Sequence, residues 1–153
     1  MTITTKTGDK GTTAIKDRRL SKADTLIVAL GDLDECSSLI IHMQAQLKLD
    51  VSIWEPIVNE LYHMSAVLSG FSPSEDFSLA IKRFEAAIHA KQFRTQKFIF
   101  PFNQEENAFY HYLRAVARRA ERSVVALSEH EKVDDGILMY LNRLSDFIFS
   151  CEI

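Results

Sequence analysis

The stretch from Glu105 to Glu129, EENAFYHYLRAVARRAERSVVALSE, decides the fold. Phe109, Tyr112, Leu113, Val116, Ala120, Val124 and Leu127 recur in it at spacings of three and four, the period of an amphipathic helix. Other stretches repeat the period. Ala23 to Leu47 runs through Leu26, Leu30, Leu33, Ser37, Ile40, Ile41 and Gln44. Val51 to Leu68 carries Trp54, Ile57, Val58, Leu61, Met64 and Leu68, with Pro56 read as lying in its first turn, where a missing N–H costs little. Gly70, Pro73 and Ser74 then break the chain, and Ser74 or Asp76 caps a third helix reaching about Phe93. Beyond a short aromatic segment around Pro101 and the helix already quoted, Asp134 or Asp135 caps a last one. It reaches Cys151 through Ile137, Leu138, Leu141, Leu144, Ile148 and Phe149. No strand pattern and no internal repeat is visible. The expectation is an all-α, five-helix bundle over residues 23–152, preceded by an extended loop over residues 1–22, in one domain spanning 1–153.

The composition fits that frame. The 153 residues are 46% hydrophobic and 25% charged, as in ordinary globular proteins. A net charge of −3 argues against general nucleic-acid binding, because no basic excess is available to displace counterions. The two cysteines, Cys36 and Cys151, sit in apolar helical patterns and read as buried free thiols of a reducing compartment. The five histidines show no metal-ligand spacing, and Trp54 reads as packing. With no secretion signal and no membrane-length apolar run, the expected location is the cytoplasm.

Chemistry concentrates in three places. In Thr5-Lys6-Thr7-Gly8-Asp9-Lys10-Gly11-Thr12-Thr13, two glycines permit a sharp turn with exposed N–H groups. Two lysines and four threonines add cations and hydroxyls, and Asp9 offers a carboxylate to a divalent metal. The set suits a polyphosphate, although the spacing is not that of a Walker loop. Alone, such a polar segment is ambiguous, and it is more often a frayed terminus than a ligand loop. In the quoted helix, Arg114, Arg118 and Arg122 fall on one stripe with Glu121 beside them, while Arg119 points towards a neighbouring element or subunit. The plain reading is a solvated face. Against it, Ala115, Val116, Ala117 and Ala120 allow a second helix to approach and partly bury the arginines, whose guanidinium forks match phosphate. In the last helix, Asn142 and Asp146 share a face, serving either buried arginines or a ligand.

Together these segments resemble the signatures of the ATP:cob(I)alamin adenosyltransferases of the PduO type. The matching elements are Thr5-Lys6-Thr7-Gly8-Asp9-Lys10-Gly11, Gly31-Asp32-Leu33-Asp34-Glu35, Arg118-Arg119-Ala120-Glu121-Arg122 and Tyr140-Leu141-Asn142-Arg143-Leu144-Ser145-Asp146. Their order matches too. The resemblance implies a five-helix bundle that assembles as a homotrimer with ATP bound between subunits, and it covers nearly the whole chain. It assigns Thr5, Lys6, Thr7, Gly8 and Asp9 to an ATP loop, with Thr13 and Lys22 as further contacts. Arg118, Arg119, Glu121 and Arg122 fall on the ATP-binding helix, and Asn142 is a late contact to the nucleotide. Lys6, Arg118 and Asn142 take the catalytic roles, and Arg114 and Asp34 match a pair bridging subunits. Phe98 matches a phenylalanine that walls the corrinoid and keeps its lower axial ligand away. The implied reaction passes the 5′-deoxyadenosyl group of ATP to cob(I)alamin and releases triphosphate, with Mg²⁺ as helper and a reductase as possible partner.

The chain departs from the pattern in three places. Phe102 and Asn103 stand where the family usually has two glycines, Val28 where a glutamate is common, and the sequence stops at Ile153 where relatives often continue. The nucleotide half thus reads as intact and the corrinoid half as altered. The competing expectation is a non-catalytic, ATP-binding trimeric sensor with a degenerate corrinoid site.

Overall fold

A computed structural model describes residues 3–91 and 100–152 of the chain. Among them are five helices: α1 (Thr25–Leu47), α2 (Val51–Leu68), α3 (Ser78–Ala90), α4 (Glu105–Ser128) and α5 (Asp135–Cys151). Two short strands, β1 (Thr12–Ile15) and β2 (Arg18–Ser21), precede them.

Local chemistry starts most of these helices. Asp24, Asp50 and Asp134 each accept an N–H of the first turn, from Leu26, Ser52 and Gly136. Such caps satisfy donors that have no intrahelical partner. Asp76 rather than Ser74 serves α3, taking the Ser78 N–H at 2.8 Å. Ser74 instead donates to Asp134 at 2.7 Å and ties the start of α3 to that of α5. Pro56 lies in the second turn of α2, not the first, and the helix runs through it. Its ring removes the N–H that would reach the Ser52 carbonyl, one bond of the ladder.

Packing runs α2–α1–α4–α5–α3 from neighbour to neighbour. Aromatic contacts tie α2 and α3 to α4 and α5. Trp54 of α2 stacks on Tyr110 of α4 and tilts against Phe147 of α5, and Phe84 of α3 meets Tyr140 and Phe147. The Tyr140 hydroxyl donates to Glu60 at 2.6 Å, and Arg83 grips the same carboxylate with two bonds of 2.9 and 2.8 Å. Burial of the ring and the nearby Glu60 charge push the Tyr140 phenol well above its ordinary pKa, so it stays a donor. Ala117 and Ala120 are fully buried, and these small side chains let α4 approach α1 closely. Three positions differ from the helical pattern expected. Tyr110 is buried where Tyr112 was expected and Tyr112 is exposed, and Ile41 is also exposed.

The strands correct the all-α expectation. β1 and β2 pair antiparallel, Thr12 opposite Ser21 and Ile15 opposite Arg18, across the Lys16–Asp17 turn. The period-two signal is weak because only Ile15 and Leu20 pack on the core and the remaining positions are polar or small. Such a hairpin is marginal alone. Here Lys16, held at φ +51°, donates its ammonium to the Gly70 carbonyl at 2.7 Å, and Arg18 pairs with Glu131 at 2.7 Å. The residues before helix α1 are therefore a loop over 3–11 followed by a docked hairpin, not one extended loop.

Both cysteines are free. Cys36 is buried, its thiol pushed up to about 12 by loss of solvent, and Cys151 is half-buried.

Candidate functional site

The N-terminal loop is shaped by its glycines and by one arginine. Gly11 adopts φ +76°, donates its N–H to the Gly8 carbonyl at 3.1 Å and accepts that of Lys22 at 2.9 Å. The turn therefore closes onto the residue that follows β2. A Cβ on Gly8 would lie 3.2 Å from the Thr12 carbonyl oxygen and 3.4 Å from the Lys22 ammonium, so the lysine head sits directly over Gly8. The Thr5 and Thr7 hydroxyls are 2.9 Å apart. Arg19 donates to the Thr7 carbonyl at 3.0 Å and to Thr12 Oγ1 at 2.9 Å, stapling loop to strand. Thr5, Thr7, Gly8 and Lys22 are thus held together. Lys6, at φ +57°, Asp9 and Lys10 are exposed, and Thr13 lies in β1 opposite Leu20. Arg19 is the residue that sequence reasoning missed. Its signal lies in the hairpin register, which makes Arg19 the diagonal neighbour of Thr12 on one sheet face.

The second concentration is the α4–α5 face. Arg118, Arg122, Asn142 and Asp146 are exposed, and Glu121 is half-buried. Arg114 and Arg118 line a cavity of about 160 Å³ with Ser145, Asp146 and Phe149. Asp146 pairs with Arg143 at 2.6 Å. Arg114 is mostly buried and is gripped by Glu152, which accepts its Nε–H at 2.8 Å. Arg119 turns away from this face. Its Nε meets Asp32 at 3.2 Å and its Nη2 bonds Glu35, while Ser123 bonds Asp32, so it clamps α4 to α1. The hydrogen bond it donates to Glu35 raises its pKa further, holding it cationic. Asp34, one residue from these carboxylates, is exposed and lines a separate α1–α2 cavity with Ser37, Ser65 and Tyr62.

The structure groups the candidates into two clusters. Among the described residues, no hydrogen bond or ion pair joins the loop to Arg118, Arg122 or Asn142. Phe98 lies outside the described residues. Phe102 is 81% exposed, with its ring 6.2 Å from that of Phe100, and is turned to solvent. Asn103 adopts φ +62°, a conformation that glycine takes freely and asparagine tolerates. Among the described residues no cluster of three or more His, Cys, Asp or Glu could cage a metal, and no helix is long and apolar enough to cross a membrane.

The cobalamin adenosyltransferase family model matches residues 3–153. The chain belongs to that family. It is 32% identical to the corrinoid adenosyltransferase of Bacillus subtilis (strain 168), over 98% of its own length and 84% of that protein. The PduO corrinoid adenosyltransferase of Citrobacter freundii is 35% identical over 98% of the chain, which spans only 48% of that longer protein. Among solved structures, a variant PduO-type ATP:corrinoid adenosyltransferase from Lactobacillus reuteri, complexed with cobalamin and ATP, superposes with a TM-score of 0.90. That match has 27% identity and covers 99% of this chain and 89% of the other.

Proposed function

We propose that this chain transfers the 5′-deoxyadenosyl group of ATP to cob(I)alamin and releases triphosphate. The observation that carries the reading is the family match across residues 3–153, because it takes in both clusters rather than one motif. In this reaction the Co(I) electron pair attacks the 5′ carbon, a Co–C bond forms, and the C–O bond breaks with its electrons leaving on triphosphate. Cobalt supplies the electron pair, so the protein needs no general base. It must instead stabilise the leaving charge and align the carbon.

The residues present suit that work. Lys6, Lys22 and the N–H groups of the Thr5–Gly8 loop face the phosphates from one side, and Arg118, Arg122 and Asn142 do so from the other. Thr13 and Glu121 complete the nucleotide contacts. Arg119 acts from behind, fixing α4 against α1. Loop and helix face carry complementary groups that, among the described residues, no hydrogen bond or ion pair joins, which supports a site shared between subunits of a homotrimer. Mg²⁺ fits without a protein cage, because it is commonly held by one or two carboxylates plus phosphate oxygens. Asp9 would hold it from its exposed place beside the Gly8–Gly11 turn, and the ion would neutralise charge on the triphosphate. Phe98 would wall the corrinoid. The whole chain would act as a single cytoplasmic domain, served by a reductase that supplies Co(I).

The competing reading is a non-catalytic ATP sensor, in which the bulky Phe102 would reshape or block the corrinoid space. The deciding experiment incubates the purified protein with Mg-ATP and chemically reduced cobalamin and follows the adenosylcobalamin spectrum. Product formation is expected. ATP binding without product, beside a relative that turns over, would overturn the enzyme reading.

A further inference from the structure

Asp32 stands in the middle of the polar clamp between α1 and α4. It is more withdrawn from water than its neighbours there, with its side chain 17% exposed against 43% for Arg119 and 45% for Glu35. Its two oxygens hold two α4 side chains one turn apart. Oδ1 accepts the Arg119 Nε–H at 3.2 Å, and Oδ2 accepts the Ser123 hydroxyl. Arg119 reaches on to Glu35, about one turn further along α1. The clamp thus has two feet on each helix. Turning α4 about its axis, or sliding it along α1, strains both Asp32 bonds at once. Ala117 and Ala120 let the two helices come close, but alanines make low ridges and fix rotation less firmly than larger side chains would.

The residues beside the clamp give it a second consequence. Arg118 directly precedes Arg119, and Arg122 directly precedes Ser123. Each exposed arginine therefore lies about 100° round the helix from a clamped neighbour. Fixing the angle of positions 119 and 123 also fixes where the stripe of 118 and 122 faces.

We infer that Asp32 is a positioning residue, holding α4 at the rotation that presents Arg118 and Arg122 to the triphosphate. This rests on the function proposed above. Contacts to a bound ligand depend on support from the groups behind them, and a small misplacement weakens them sharply. Charge alone predicts the opposite effect. Removing an acid from this face, and loosening Arg119, would make it more positive and tighten ATP binding. The two accounts therefore separate in sign.

The test compares Asp32→Ala, Asp32→Asn and Ser123→Ala with the wild type. Mg-ATP binding is measured by calorimetry, beside steady-state kinetics with reduced cobalamin and thermal melting. Arg119 keeps Glu35 in every variant, so none leaves its charge unpaired. Asparagine loses the charge but keeps a carbonyl for the Arg119 Nε–H and an amide group that Ser123 can bond. Positioning predicts that Asp32→Ala raises Kd and KM for ATP about tenfold and Ser123→Ala about threefold, while Asp32→Asn recovers most of the loss. A lower Kd in Asp32→Ala, an asparagine variant as impaired as the alanine one, or a lower Tm with unchanged Kd overturns the inference. A wild type that binds no ATP removes the function and this inference together, whereas variants with normal Kd and KM beside an active wild type remove the inference alone. Should Asp32→Ala fail to fold, Ser123→Ala decides. Its threefold rise in Kd at an unchanged Tm is expected, and a wild-type Kd overturns the proposal.

Discussion

The N-terminal loop and the α4–α5 face carry most of the charge of the proposed site, yet they are held in place by different means. The loop has almost no core beneath it. Its shape comes from backbone bonds at Gly8 and Gly11, from Arg19 reaching back across the hairpin, and from Lys16 and Arg18 pinning that hairpin to the helices. The helical face stands on fully buried Leu113, Ala120, Val124, Leu141 and Leu144, and its charged residues project from a rigid support. Segments with few buried apolar contacts open at lower free-energy cost than core helices. The loop is thus the part that a ligand can order, and the face is the part that waits for it ready-made.

The largest break in this comparison is expected at Arg118. The side chain is exposed, so Arg118→Ala removes a charge-assisted contact to phosphate without disturbing the core. Such contacts contribute about 2–3 kcal/mol, and ATP affinity should fall roughly a hundredfold while Tm stays within about 1 °C. Calorimetric titration beside a thermal melt measures both. Unchanged affinity would move the nucleotide off this face.

Arg19 tests the other side. Arg19→Ala removes the two bonds that close the loop on Thr7 and Thr12. ATP affinity should fall about tenfold, the scale of two exposed hydrogen bonds, with little change in Tm because the arginine lies outside the core. A drop in Tm as large as the loss of affinity would show the loop to be part of the folding unit, and the contrast with α4–α5 would fail.

The same contrast explains what could be read from the sequence. The helices were legible nearly to the residue at Leu47, Leu68 and Cys151, because long apolar periods and aspartate caps are local signals. The core was mostly legible, with Tyr110 and Tyr112 exchanged because adjacent aromatic residues leave the helix phase ambiguous. The hairpin was not legible, since four-residue strands with one core-facing side chain apiece carry hardly any alternation. Arg19 was hidden for that reason: its role exists only once the register does. Glu152 was hidden because its partners, His111 and Arg114, are about forty residues away. The family motifs marked the loop and the arginine stripe but not what stands behind them.

The smallest effect concerns the cap that starts α5 and so orients Asn142. Asp134 accepts a hydrogen bond from Ser74 and one from the Gly136 N–H, and these hold its carboxyl below the usual carboxylate pKa. A group whose pKa is depressed on folding adds stability above its unfolded value, about 3.9, and loses it as the pH falls through the lower folded value. Asp134→Asn keeps a capping oxygen but carries no proton to gain in this range. Near pH 7 the variant should be less stable by about 0.5 kcal/mol, the scale of a charge at a helix N-terminus. The two stability curves should converge as the pH drops from about 5 to below 3, because only the wild type loses this contribution. Urea melts across that range measure the gap. A difference that stays constant with pH would mean that the cap works through shape alone, and that the ionised carboxylate adds nothing to the support beneath Asn142.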